Sequence, residues 1–357
     1  MYSFNNNGTD GYWPDAGLIF DPAGNLYGTT TAGGTGCGDS CAGTVFQLTP
    51  GKDGKWTETL LHSFNFNGKD GFYPTVGLIL DGAGNLYGTT VYGGASGTGC
   101  GGLGCGTVFE LTPGANGKWT EKLLHSFGNG KDGSWPDGRL IFDEAGNLYG
   151  IAANGGPSGK SCGGYGCGIA FELTPGTNGR WTESLLHSFN GKDGQDPHTG
   201  LMFDTAGNLY GTTMTGGASG TGCGGYGCGT VFQLAPGTNG KWAEKVLHSF
   251  GKGKDGIWPW GEGPLIFDVA GNLYGTTSAG GDGSCSSGSS YGCGTVFELT
   301  PGANGKWTEK LLHNFDNNRT DGLYPDNGLL LDTTGNLYGN TGLGGTYAYG
   351  TVFEITP

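Results

Sequence analysis

Six histidines, nine tryptophans and 31 acidic side chains carry most of the chemistry this 357-residue chain can offer. Five of the histidines, His62, His125, His187, His248 and His313, share one place in a recurring Leu-His-Ser/Asn-Phe phrase. His198 alone is off-pattern, in Gln195-Asp196-Pro197-His198, where Asp196 stands at a position that other repeats fill with an aromatic ring. The preceding repeat has Arg139 where most have Gly, and the following one expands to Trp258-Pro259-Trp260-Gly261-Glu262. Two chemistries fit these departures. Asp196 and Glu262 would serve as the paired carboxylates of a glycoside hydrolase if they stood roughly 5–9.5 Å apart. Alternatively, His198 would accept a proton while Arg139 neutralised a uronate carboxylate, as in a polysaccharide lyase. Loop drift without catalytic purpose is the competing reading.

The aromatic residues sort by position. Trp56, Trp119, Trp181, Trp242 and Trp307 recur at the start of one strand-like segment and are expected to pack between elements. Trp13, Tyr73, Trp135, Trp258 and Tyr324 each stand directly before Pro, and Trp260 follows in the same kind of loop. Flat rings offer an apolar face to sugar C–H groups while neighbouring Asp and Asn take the hydroxyls, so the expected partner is a neutral poly- or oligosaccharide. The competing role is to plug the space between repeats. The recurring Asp10, Asp70, Asp132, Asp193, Asp255 and Asp321 before Gly suggest Asx turns; calcium is the metal alternative, although EF-hand spacing is absent. No metal or cofactor is therefore assigned.

The ten cysteines form five local pairs: Cys37 with Cys41, Cys100 with Cys105, Cys162 with Cys167, Cys223 with Cys228, and Cys285 with Cys293. Short-range pairs confined to loops, with no second pair or His beside them, read as disulfides rather than zinc ligands and imply an oxidising, extracellular location.

The elements that must position these groups follow from self-similarity. Gly-Asn-Leu-Tyr-Gly recurs at Asn25, Asn85, Asn147, Asn208, Asn272 and Asn336, which defines six units, approximately 5–64, 65–127, 128–189, 190–250, 251–315 and 316–357 with 1–4. Each unit holds four strand-like segments, in the second unit 77–81, 85–90, 106–112 and 119–127. The first two are joined by Asp-x-Ala-Gly-Asn and the last two by Pro-Gly-x-Asn-Gly-Lys, both tight-turn sequences. Four antiparallel strands repeated six times predict an all-β, six-bladed β-propeller forming one domain, 1–357. Met1–Phe4 matches the end of a fourth segment, so this N-terminal strand is expected to close the last blade, although it is unusually short and lacks the Trp-Thr-Glu-Lys stretch of the other copies. The long loops, which carry the cysteines and the Pro-linked aromatics, then gather on one face.

The whole chain, through its sextuple Leu-Ile-Phe-Asp-x-Ala-Gly-Asn-Leu-Tyr-Gly-Thr-Thr…Gly-Thr-Val-Phe-Glu-Leu-Thr-Pro unit, resembles the GloVer (Gloeo/Verruco) tandem repeat of secreted bacterial proteins. A shorter portion is similar to NHL-type six-bladed propellers. The resemblance implies architecture and secretion rather than an activity. Composition agrees: 81 Gly disfavour long helices, and a net charge of -14 repels nucleic acid and anionic membranes. No apolar run reaches the length of a spanning helix. A monomer is expected, and a passive surface scaffold stands as a third functional reading beside carbohydrate binding and catalysis.

Overall fold

The computed structural model describes residues 2–357 except 6–8, 36–41, 68, 95–99, 129–130, 158–161, 219–222, 252–253, 262, 283–284 and 286–290. It is an all-β, six-bladed propeller built from antiparallel sheets. In the second blade the strands are Ile79–Leu80, Leu86–Thr90, Thr107–Pro113 and Trp119–Ser126, hydrogen-bonded in sequence order. The first strand is shorter than expected because only Ile79 and Leu80 find ladder partners, on Tyr87 and Leu86. A two-stranded ribbon absent from the sequence reading joins the two long loops of this blade, pairing Gly71–Phe72 with Tyr92–Gly93.

The sixth sheet contains three strands, Leu330–Leu331, Leu337–Thr341 and Thr351–Ile355, and residues 2–5 lie outside any strand. The fourth strand expected from Met1–Phe4 is thus not seen among the described residues. Four residues without the Trp-Thr-Glu-Lys stretch of the other copies offer little ladder to pair. Phe4 nevertheless packs edge-on against Phe46 at 4.9 Å, as the equivalent Phe64 does against Phe109 at 5.2 Å.

By contacts the chain falls into two units, Met1–Pro157 with Ile169–Leu185, and Ser158–Gly168 with Leu186–Pro357. Each has its own core. In the first, Phe109, Phe127 and Phe171 are fully buried; in the second, Phe189, Phe232, Phe250 and Phe297 are. The ring of each third-strand Phe enters a space that Gly in the second strand leaves open: a Cβ on Gly211 would stand 2.7 Å from Phe232 Cζ. This explains why Tyr-Gly is repeated in every second strand.

The tight turn between first and second strands is held by its Asp. In the third blade, Asp143 Oδ1 accepts the backbone N–H of Ala145 (2.9 Å) and Asn147 (2.8 Å), while Oδ2 accepts Asn147 Nδ2 (2.7 Å) and the Tyr149 hydroxyl (3.1 Å). Gly146 completes the turn at φ +85.

Candidate functional site

The loop from each fourth strand into the next first strand presents one residue, immediately before Pro, in the left-handed backbone region: Trp13 (φ 60), Tyr73 (58), Trp135 (58), Asp196 (60), Trp258 (56) and Tyr324 (57). Large non-Gly side chains rarely adopt this conformation, and it persists only where surrounding bonds impose it. Here they do. Trp135, Asp196, Trp258 and Tyr324 donate their backbone N–H to the carbonyls of Cys105 (2.9 Å), Cys167 (3.0 Å), Cys228 (2.9 Å) and Cys293 (3.0 Å). Their own carbonyls accept N–H groups from Ala153, Met214, Ser278 and Gly342.

Those cysteines are the second members of four disulfides, Cys100–Cys105, Cys162–Cys167, Cys223–Cys228 and Cys285–Cys293, which match the expected pairing. Cys37 and Cys41 lie outside the described residues. Each bridge therefore stiffens a loop that anchors the residue before Pro in the following repeat. Replacing Cys223 and Cys228 together by Ser is expected to lower stability by about 2 kcal/mol on loop-closure grounds. Chemical denaturation checks this, with reductant expected to add little in the variant at this loop.

In the first unit, Trp13 is 61% exposed. Tyr73 and Trp135 both face Tyr92, with ring centroids 5.9 and 6.0 Å away, forming a half-buried aromatic group. Arg139 is half-buried and places Nη2 3.4 Å from the Leu78 carbonyl, while Nε makes no hydrogen bond. Desolvation by burial lowers its pKa. Within this unit the guanidinium serves the neighbouring repeat's backbone.

In the second unit, three of the expected aromatics meet. Trp258, Trp260 and Tyr324 line a cleft of about 720 Å³ together with Met214, Ser278, Asp326, Asn327 and Leu343. Trp260 is 48% exposed and its ring stacks on the His198 imidazole, centroids 5.4 Å apart and planes 22° from parallel. His198 Nε2 lies 3.0 Å from Asp196 Oδ1, so Asp196 is engaged with the imidazole. Glu262 lies outside the described residues.

Asp326 was not among the expected site residues. It is an exposed residue lining the cleft, and desolvation raises its carboxyl pKa above the ordinary range. The signal was present in the sequence. The second residue after the left-handed position reads Asp15, Thr75, Asp137, His198, Trp260 and Asp326 around the six repeats, so one structural position carries imidazole, indole and carboxylate in succession in the second unit. In the first unit the same position is spent on loop contacts, Thr31 Oγ1 donating to Asp15 (3.2 Å) and Thr75 to Asp137.

The recurring Asp before Gly also organises its loop, although its bonds run backward along the chain. Asp70 Oδ2 accepts from the backbone N–H (3.2 Å) and side-chain amide (2.8 Å) of Asn65, and Asp255 Oδ2 accepts from Gly251 N–H (3.2 Å).

Fold and cleft together define a disulfide-stapled six-bladed β-propeller with an aromatic-lined cleft in its second unit. The chain belongs to the Gloeobacter/Verrucomicrobia repeat family, whose model matches residues 1–160 and 160–357. Among solved structures it is similar to a polysaccharide lyase of family PL25, an ulvan lyase, bound to -[GlcA(1-4)Rha3S]-. That match has TM-score 0.54 and 10% identity and covers 99% of this chain and 83% of that one. A second structure of a PL25 ulvan lyase matches with TM-score 0.52 and 11% identity, covering 99% and 82%. At these identities the likeness shows the fold. No curated protein matches the sequence. Among the described residues no helix is long and apolar enough to cross a membrane, and the four disulfides indicate an oxidising, extracellular environment.

Proposed function

We propose that this is a secreted carbohydrate-binding propeller that holds a neutral glycan in the cleft of its second unit. The observation that carries the reading is the convergence of Trp258, Trp260 and Tyr324 on one open cleft, with Asp326 and Asn327 beside them. Indole and phenol faces take the apolar faces of sugar rings, and the carboxylate and amide take hydroxyls, the combination of apolar walls and few polar groups found in small-ligand sites. The net charge of -14 opposes a polyanion and favours a neutral chain.

A second reading has its own support. The His198–Asp196 pair stacked behind Trp260 is a carboxylate-oriented imidazole at the edge of a sugar-sized cleft. In a polysaccharide lyase the imidazole would take the proton α to a uronate carboxylate. The acidic surface weighs against the anionic polymer this requires.

A panel of soluble polysaccharides run in affinity gels, with released products analysed in parallel, separates the readings. Carbohydrate binding predicts retention by at least one neutral glycan without product, and about 30-fold weaker binding for Trp260→Ala, the roughly 2 kcal/mol of a buried aromatic anchor. His198→Ala should leave retention within a few-fold. Unsaturated products that vanish in His198→Ala would establish the lyase instead, and retention by no glycan would remove both.

A further inference from the structure

A second set of groups recurs away from the cleft, between successive blades. His62, Asp70 and Glu121 bring one ligand atom each within 4.8 Å of one another, and His125–Asp132–Glu183, His187–Asp193–Glu244 and His248–Asp255–Glu309 repeat the arrangement. Each set draws on three separate phrases. The His ends a fourth strand, the Asp follows in the next loop, and the Glu belongs to the Trp-x-Glu start of the next blade's fourth strand.

His187 and His248 hydrogen-bond Asp193 (3.2 Å) and Asp255 (2.9 Å), but other polar atoms of these sets are left without partners. Asp70 and Asp255, whose side chains are only 5% and 4% exposed, each keep Oδ1 without a hydrogen bond. Oε1 of Glu121, Glu183, Glu244 and Glu309 is in the same condition, as is Nε2 of His62 and His125. Buried acceptors facing acceptors cost free energy unless something positive lies between them. In the first blade Tyr2 stands in place of the His and its phenol donates to Asp10 Oδ2 at 3.1 Å, while Glu58 Oε1 stays without a hydrogen bond as in the other sets.

We propose that the four His–Asp–Glu sets are divalent-cation sites of the zinc type, each clamping one blade to the next. His Nε2 lies 3.5 Å from Asp70 Oδ2 and 3.9 Å from Glu121 Oε1 in one set, 3.2 Å from Asp193 in another, and 2.9 Å from Asp255 and 3.9 Å from Glu309 in a third. A tetrahedral shell with bonds of about 2.1 Å spaces its ligands by about 3.4 Å, so the three donors occupy three corners and water takes the fourth. Two carboxylates and a neutral imidazole balance a +2 ion. Calcium, which takes six to eight oxygens, is poorly served by one nitrogen and two carboxylates.

The rival is a proton shared between the Asp and Glu of each set. Glu→Gln substitution distinguishes them, because Gln reproduces the shape and donor of a protonated Glu but is a poor zinc ligand. The full chain without a polyhistidine tag would be incubated with zinc sulfate, desalted and analysed for metal by mass spectrometry. Retention of about four zinc ions per chain is expected, with a drop of one in Glu183→Gln and loss of all in the variant carrying Glu121→Gln, Glu183→Gln, Glu244→Gln and Glu309→Gln. Chelator should lower the melting temperature of the zinc-loaded wild type. Should the fourfold variant fail to fold, the single-variant count carries the same test. Wild type that retains no zinc, or Glu183→Gln that retains as much zinc as wild type, would overturn the proposal in favour of the shared proton.

Discussion

Phe232→Ala is expected to lower unfolding free energy by about 4 kcal/mol, the upper range for emptying a buried aromatic site. Phe232 is fully buried, its ring tip fills the space over Gly211, and Phe189 meets it edge-on at 5.0 Å. The void would be walled by Gly211 backbone, Phe189 and Leu201, of which only Leu201 can shift into it. The reciprocal change, Gly211→Ala, places a methyl 2.7 Å from Phe232 Cζ and 3.1 Å from Leu201 Cδ2, so it should also destabilise, by overpacking. Val269→Ala, at a fully exposed turn position, serves as control and should stay within about 0.5 kcal/mol. Urea denaturation of the three variants tests the scheme; a Phe232→Ala variant as stable as the control would refute the interlocking of Phe and Gly that defines the repeat core.

Asp143→Ala is expected to cost about 2–3 kcal/mol, since it removes an ionised acceptor of two backbone N–H groups, an amide and a phenol. Tyr149 retains Glu172 Oε1 at 3.0 Å, which limits the loss. The same carboxylate sets a pH dependence. Desolvation would raise its pKa, but the hydrogen bonds from Asn147, Tyr149 and Ala145 outweigh it and hold the carboxyl below its ordinary range; Asp81, Asp204 and Asp268 behave alike. A pKa depressed by folding contributes stability above the unfolded value, near 3.9, and loses it as pH falls through the folded value. Wild type should therefore lose stability steeply below pH about 4, and Asp143→Ala should lose less over that interval. Equal acid sensitivity of the two proteins would contradict the role given to this turn.

Much of the architecture was readable because repetition amplifies weak local signals. Gly-Asn-Leu-Tyr-Gly marks a turn and a second strand six times, and a pattern that would be ambiguous once becomes an element boundary. The disulfides were equally legible, since Cys223 and Cys228 have no nearer partners than each other. What sequence could not show depends on register between repeats. His62 and Glu121 are 59 positions apart, and only the packing of one fourth strand beside the next brings them to 3.9 Å. The left-handed backbone at Trp258 was hidden for the same reason, because it is imposed by the Cys228 carbonyl of the preceding repeat. Asp326 is not a departure from the consensus, and what marks it is the alternation of residue type at one fixed position, Asp15, Thr75, Asp137, His198, Trp260 and Asp326.

A crystal structure of the chain with an oligosaccharide drawn from the best-retained glycan tests the central claim most directly. The account predicts sugar rings stacked against Trp258, Trp260 and Tyr324, with hydroxyls on Asp326 and Asn327. Sugar seated instead in the groove beside the tight turns, lined by Met202, Phe267 and Leu331, with the aromatic cleft bare, would contradict it.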